Sequence, residues 1–231
     1  MNSKSYTVKQ RKRRRKLMIR RLFILSVLVI FVICTLGIYA LVKNIFHQEP
    51  KPAQAEKINR VEIAKELQMP EWVDIQLIDK NASARDGRKL SNIKNIVIHY
   101  VGNPMTTAQN NRDYFNKPDT EVCSHFVVGL EGEIIQCVPI YERSVASNHR
   151  NKDTISIEVC HTDESGKFNE ETYQAVIKLV TYLCNHLSLD ETDVIRHYDI
   201  TGKNCPKYYV ENEDKWEALK ENLKEALNEK N

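Results

Sequence analysis

Polar and apolar positions follow three regimes along this chain. Residues 22–42, LFILSVLVIFVICTLGIYALV, form an apolar run without a single charge. A helix rises about 1.5 Å per residue, so a run of this length spans the ~30 Å hydrocarbon core of a bilayer. Residues 43–59 lose all periodicity. Prolines at positions 50 and 52 and mixed charge read as a linker. From residue 60 to 231 the pattern is that of a folded domain, with short apolar runs interleaved with helical periodicity.

The elements follow from the period. VEIAKELQ predicts a short helix, SNIKNIVIHY a strand at about 93–99, and TTAQNNRDYFN a helix. SHFVVGL and EIIQCVPI, separated by a Glu-Gly turn, predict a hairpin. In TISIEVCH alternate residues share a face, which puts Ile155, Ile157 and Val159 on one side and Ser156, Glu158 and Cys160 on the other. FNEETYQAVIKLVTYLCNHL recurs at three- and four-residue steps and carries Asn169 as its cap. DVIRHY is a further strand, and an amphipathic helix over about 214–227 closes the chain. Strands interleaved with helices imply an α/β layer domain with its own core.

Charge sharpens the division. The net charge is +3, but residues 1–21 hold ten Lys or Arg and no acid, so the rest of the chain carries −7. A nucleic-acid-binding domain needs basic charge on the fold itself, and that charge is missing. The basic flank of an apolar run stays on the cytoplasmic side. The expectation is a cytoplasmic tail at 1–21, a transmembrane signal anchor at 22–42 and an outer domain beyond the linker. A cleavable signal peptide would need a small-residue cleavage site close to the run. Ala53 and Ala55 have the spacing but lie well past it. Of the six cysteines, Cys34 falls in the span and five fall in the outer domain, where an oxidising compartment permits disulfides. Five is odd, so at least one is unpaired or has another task, and spacing alone leaves the pairing open. Cys184 falls on the apolar face of its helix and reads as core.

Two histidines end strands, His99 and His197, and Cys205 follows the second in RHYDITGKNCP. A histidine that closes an apolar strand is, alone, more often a hydrogen-bonded core residue than a ligand. Together the two histidines and Cys205 supply the three protein ligands that a catalytic zinc ion takes while leaving a position open. Metal-assisted hydrolysis also needs a proton carrier, and Glu158 sits inside an otherwise apolar strand, where an unpartnered carboxylate is costly. Lys203, two residues before the cysteine, is placed to face an oxyanion. An exposed loop lysine is the plainer reading of the same residue.

IVIHYVGNP, SHFVVGLEGEIIQCVP, NHRNKDTISIEVCH and RHYDITGKNCP, in this order, resemble the zinc-dependent N-acetylmuramoyl-L-alanine amidases. This group includes phage T7 lysozyme and the peptidoglycan recognition proteins. The resemblance covers about residues 70–222. It implies a mixed central sheet flanked by helices, a Zn2+ held by His99, His197 and Cys205, and catalysis by Glu158 and Lys203. It implies peptidoglycan as the substrate, cut between N-acetylmuramic acid and L-alanine. The topology implies a domain held on the wall side of a bacterial membrane. Where phage T7 lysozyme carries a catalytic tyrosine, this chain has Ser124, to which no role is transferred. His125 reads as structural, His149 as a residue lining the substrate groove, and His161 and His186 as incidental. A module that binds peptidoglycan without cutting it is the alternative. Such modules typically lack the cysteine ligand, and Cys205 is present.

Overall fold

The computed structural model describes residues 3–46, 58–80 and 82–229. The chain divides into two units, on either side of Lys57. The described residues of the first form a helix, α1 (Ser3–Phe46). It continues past both ends of the apolar run, because no proline interrupts the chain before Pro50. Its stretch Arg13–Lys43 is long and apolar enough to cross a membrane, and large apolar side chains from Leu22 to Val42 are exposed along it. The start of the expected linker, Lys43–Phe46, is therefore helical, and residues 47–57 lie outside the described residues.

The second unit is built on one six-stranded mixed sheet. Its strands are β1 (Val73–Ile75), β2 (Asn95–Tyr100), β3 (Phe126–Val128), β4 (Ile134–Gln136), β5 (Thr154–Val159) and β6 (Val194–Arg196). Their spatial order is β1-β4-β3-β5-β2-β6. Only β3 and β4 pair antiparallel, as the expected hairpin, and every other neighbour is parallel. β2 and β5 lie centrally and are buried on both faces, the usual fate of parallel strands.

The alternation read from TISIEVCH decides which helices go where. Ile96 and Ile98 of β2 join Ile155, Ile157 and Val159 of β5 in the larger core, against α2 (Arg60–Glu66), α4 (Glu170–Leu187) and α7 (Glu213–Asn228). Asn169 caps α4 by accepting from the Thr172 amide at 2.8 Å, and Cys184 is fully buried there. The opposite face packs Val127, Ile135 and Cys160 against Ala108 and Phe115 of α3 (Ala108–Phe115). All six cysteines are free.

Besides two 3₁₀ turns, at Asn148–Arg150 and Glu191–Asp193, one strand and two short helices were not expected. β1 is only three residues long, too short for its period to stand out, and it adds an edge to β4. α5 (Tyr198–Thr201) and α6 (Lys207–Glu211) sit in the loop after β6. Arg196 anchors that loop. Its guanidinium donates to Asp199 Oδ1 at 2.9 Å, to Glu213 Oε2 at 2.6 Å and to the Tyr209 carbonyl at 2.9 Å.

Candidate active site

The site forms where three parallel strands end on the α3 side of the sheet. His99 on β2 is in register with Glu158 on β5. His197 directly follows β6, and its amide donates to the Ile98 carbonyl at 3.3 Å, so the two histidines end adjacent strands. Clefts at the carboxyl ends of parallel strands are the usual ligand sites of α/β sheets. Cys205 is brought back by a tight excursion. α5 stops at Gly202, whose φ of 76° is a left-handed turn that glycine adopts without strain. The returning chain lets the Tyr198 amide donate to the Cys205 carbonyl at 2.9 Å.

One ligand atom from each of His99, His197 and Cys205 lies within 4.8 Å of the others, and all three residues are buried. His99 Nδ1 is 3.8 Å from Cys205 Sγ and 4.0 Å from Glu158 Oε1. The two imidazole centroids are 4.7 Å apart. The outer ring nitrogens meet the turn before β5: His197 Nε2 is 2.7 Å from Asn148 Oδ1, and His99 Nε2 is 3.4 Å from Ser147 Oγ.

The electrostatics suit a cation. Burial holds the His99 imidazole well below its ordinary value, with the charges of His197 and Lys203 acting the same way. Burial and Lys203 also lower His197. Both rings are therefore neutral near pH 7, the form that ligates. Burial, reinforced by the Glu158 charge, pushes the Cys205 thiol up to about 12, although the Tyr100 amide and Lys203 act against it. Burial likewise pushes the Glu158 carboxyl up to about 8, with Lys203 in opposition. The Glu158 side chain is 19% exposed overall, yet its Oε2 atom is shielded from solvent and has no hydrogen-bond partner. A buried polar atom without a partner is costly and marks a place where something else belongs. Two neutral imidazoles, a thiol and an orphaned carboxylate oxygen fit a zinc ion and its substrate.

The cluster opens into a cavity of about 450 Å³ that Lys203 also lines. A second cavity of about 340 Å³ shares Val101, Phe115, Val122 and Glu158 with it and continues along α3 past Asn110 and Tyr114. The structure thus gathers His99, His197, Cys205, Glu158 and Lys203 around one cleft. His149 is exposed on the 3₁₀ turn Asn148–Arg150, outside the residues that line either cavity, whereas Asn148, exposed as well, reaches His197 and lines the cavity of about 450 Å³. Ser147 and Asn148 were missed, since nothing in SNHRNKD distinguishes a ring partner from a loop serine or asparagine.

The neighbouring polar residues are structural. His125 is fully buried. Its Nδ1 accepts from the Ser156 amide at 2.9 Å, its Nε2 meets the Glu142 carbonyl at 2.8 Å, and burial pulls its pKa down to about 4. The Ser124 hydroxyl donates to the Phe126 carbonyl at 2.6 Å and points at no cluster atom. His161 stacks on Tyr100 with centroids 5.2 Å apart.

A family model described as N-acetylmuramoyl-L-alanine amidase matches residues 89–208, the span that carries every cluster residue. The N-acetylmuramoyl-L-alanine amidase BlyA of Bacillus subtilis is 32% identical over 66% of this chain and 47% of its own length. CwlL of Bacillus licheniformis, named as the same enzyme, is 30% identical over 65% of this chain and 46% of its own. The chain thus spans about half the length of these curated relatives. Among solved structures, the catalytic domain of XlyA aligns with a TM-score of 0.58 at 24% identity, covering 65% of this chain and 98% of that one. A mutant endolysin from Bacillus subtilis aligns equally well, at 25% identity over 65% of this chain and 97% of its own.

Proposed function

We infer that this chain, which belongs to the N-acetylmuramoyl-L-alanine amidase family, hydrolyses the amide between the lactyl group of N-acetylmuramic acid and L-alanine in peptidoglycan. One observation carries the inference. A metal-type donor set and the shielded, unpartnered Oε2 of the partly buried Glu158 converge on a single cleft.

His99, His197 and Cys205 would hold a zinc ion, which when bound polarises a carbonyl and makes water more acidic. Glu158 is the proton carrier. Its carboxylate takes a proton from the attacking water as the water oxygen bonds to the amide carbon. It returns that proton to the leaving L-alanine nitrogen as the C–N bond breaks. A carboxyl held near neutral by burial can do both. Lys203 contributes positive charge at the cleft, where the carbonyl oxygen becomes anionic. The shared wall at Glu158 supports a substrate that runs from one cavity into the other across the reacting atoms.

Helix α1 supports a single-pass anchor, with residues 1–21 on the cytoplasmic side and the catalytic unit facing the wall. The bond cut is tested by digesting purified peptidoglycan and labelling new groups. New L-alanine amines without new reducing sugars would support an amidase. New reducing sugars would assign the cut to the glycan instead and overturn the reading.

A further inference from the structure

We propose that the turn Ser147–Asn151 is an outer clamp of the metal centre, in which Asn148 is a positioning residue that fixes His197 in its ligating orientation. The inference rests on the zinc reading above.

Two consecutive side chains reach the outer nitrogens of both histidines. Asn148 Oδ1 is 2.7 Å from His197 Nε2, and Ser147 Oγ is 3.4 Å from His99 Nε2. An amide oxygen can only accept, so His197 Nε2 must carry the proton, and Nδ1 is left bare for a metal. His99 turns its Nδ1 toward Cys205 and Glu158. Partners on the outer nitrogen fix ring and tautomer in metal sites and raise ligand basicity.

The turn is built to hold this position. Val145 exchanges backbone hydrogen bonds with Cys123 at 3.2 and 3.0 Å just before it. Asn151 Oδ1 accepts from the Ala146 and Ser147 amides at 3.1 and 2.6 Å. Arg150 donates to Asp153 Oδ1 and to Asn95 Oδ1, both at 2.6 Å, which ties the turn to the start of β2. Asn148 itself has a φ of 53°, a left-handed conformation that asparagine tolerates and most side chains do not. A left-handed backbone favours Gly, Asn or Asp here, and of these only the last two offer an acceptor to His197. Asn148 also lines the cavity of about 450 Å³, so the side chain that sets the ring forms part of the substrate wall.

The test uses the full chain in detergent, stripped of metal and titrated with zinc against a chromophoric chelator. Cobalt absorption spectra report the ligand field of the same site. Asn148→Gly keeps the backbone conformation and removes the acceptor. It should weaken zinc binding by about 10–100-fold and alter the cobalt spectrum, while the metal-free melting temperature stays unchanged. Asn148→Asp restores the acceptor and should restore the affinity. Glycine and wild-type proteins binding zinc within about twofold of each other would overturn the clamp while leaving the zinc reading intact. Equal losses in the glycine and aspartate variants would also overturn it, since the acceptor would then be irrelevant. A wild-type chain that binds no zinc would overturn both readings.

Discussion

Replacing Glu158 by glutamine should give a protein that is more stable and inactive. The native fold holds this carboxyl at about 8, against an ordinary value of 4.5. Below pH 4.5 both native and unfolded chains carry the proton, and burial of the neutral group costs nothing extra. Between 4.5 and 8 the unfolded chain gives up the proton while the native state retains it, so native stability falls as pH rises through this window. At about 1.4 kcal/mol per unit, the penalty is about 1 kcal/mol at pH 5 and about 3 kcal/mol at pH 7. Glutamine has the same shape and no ionisation to lose. For a domain of this size about 1 kcal/mol shifts the melting temperature by roughly 2–4 °C. Zinc-free Glu158→Gln should therefore melt roughly 6–12 °C above wild type at pH 7, and only roughly 2–4 °C above it at pH 5. The zinc-loaded variant should lose about 10²–10⁴ in turnover. Calorimetry of the metal-free proteins at the two pH values is the assay. A variant that melts below wild type, or a gain that is the same at both pH values, would refute the reasoning.

Four other perturbations have defined outcomes. Zinc at about 1,000 times its dissociation constant should add about 4 kcal/mol, a rise of roughly 8–16 °C in melting temperature. Cys205→Ser should remove most of that rise, and an unchanged melting temperature on zinc addition to wild type would count against the site. Away from the cleft, Arg85 and Glu142 form a buried ion pair at 2.8 and 3.1 Å. Glu142→Gln strands the guanidinium and should cost about 3–5 kcal/mol, whereas replacing both with methionine should cost much less. Urea unfolding distinguishes the two variants, and equal losses would show that burial of Arg85 is not the issue.

Much of this molecule was legible because its two periods differ so sharply. The two-residue alternation of TISIEVCH assigned both faces of β5, including the face that carries Glu158. The three- and four-residue steps of α4 located its buried side, including Cys184. The convergence of His99, His197 and Cys205 was foreshadowed because His99 and His197 close apolar strands. What stayed hidden depends on loop geometry, which has no period. α5 and its Gly202 turn, which return Cys205 to His197, occupy only a few residues. The inward aim of Asn148 rather than His149 follows from one left-handed φ angle and from hydrogen bonds made by Asn151. The Arg196 network joins β6 to Asp199, Tyr209 and Glu213, contacts that only the folded chain brings together.

The most direct test of the central claim is a restoration experiment on the full chain in detergent with purified peptidoglycan. Metal-stripped protein should release no stem peptides with a free L-alanine amine, as read by mass spectrometry. Adding one equivalent of zinc should restore the release in wild type. It should not do so in Glu158→Gln, although that variant still binds the metal. Release by the stripped protein, or undiminished release by zinc-loaded Glu158→Gln, would contradict the account.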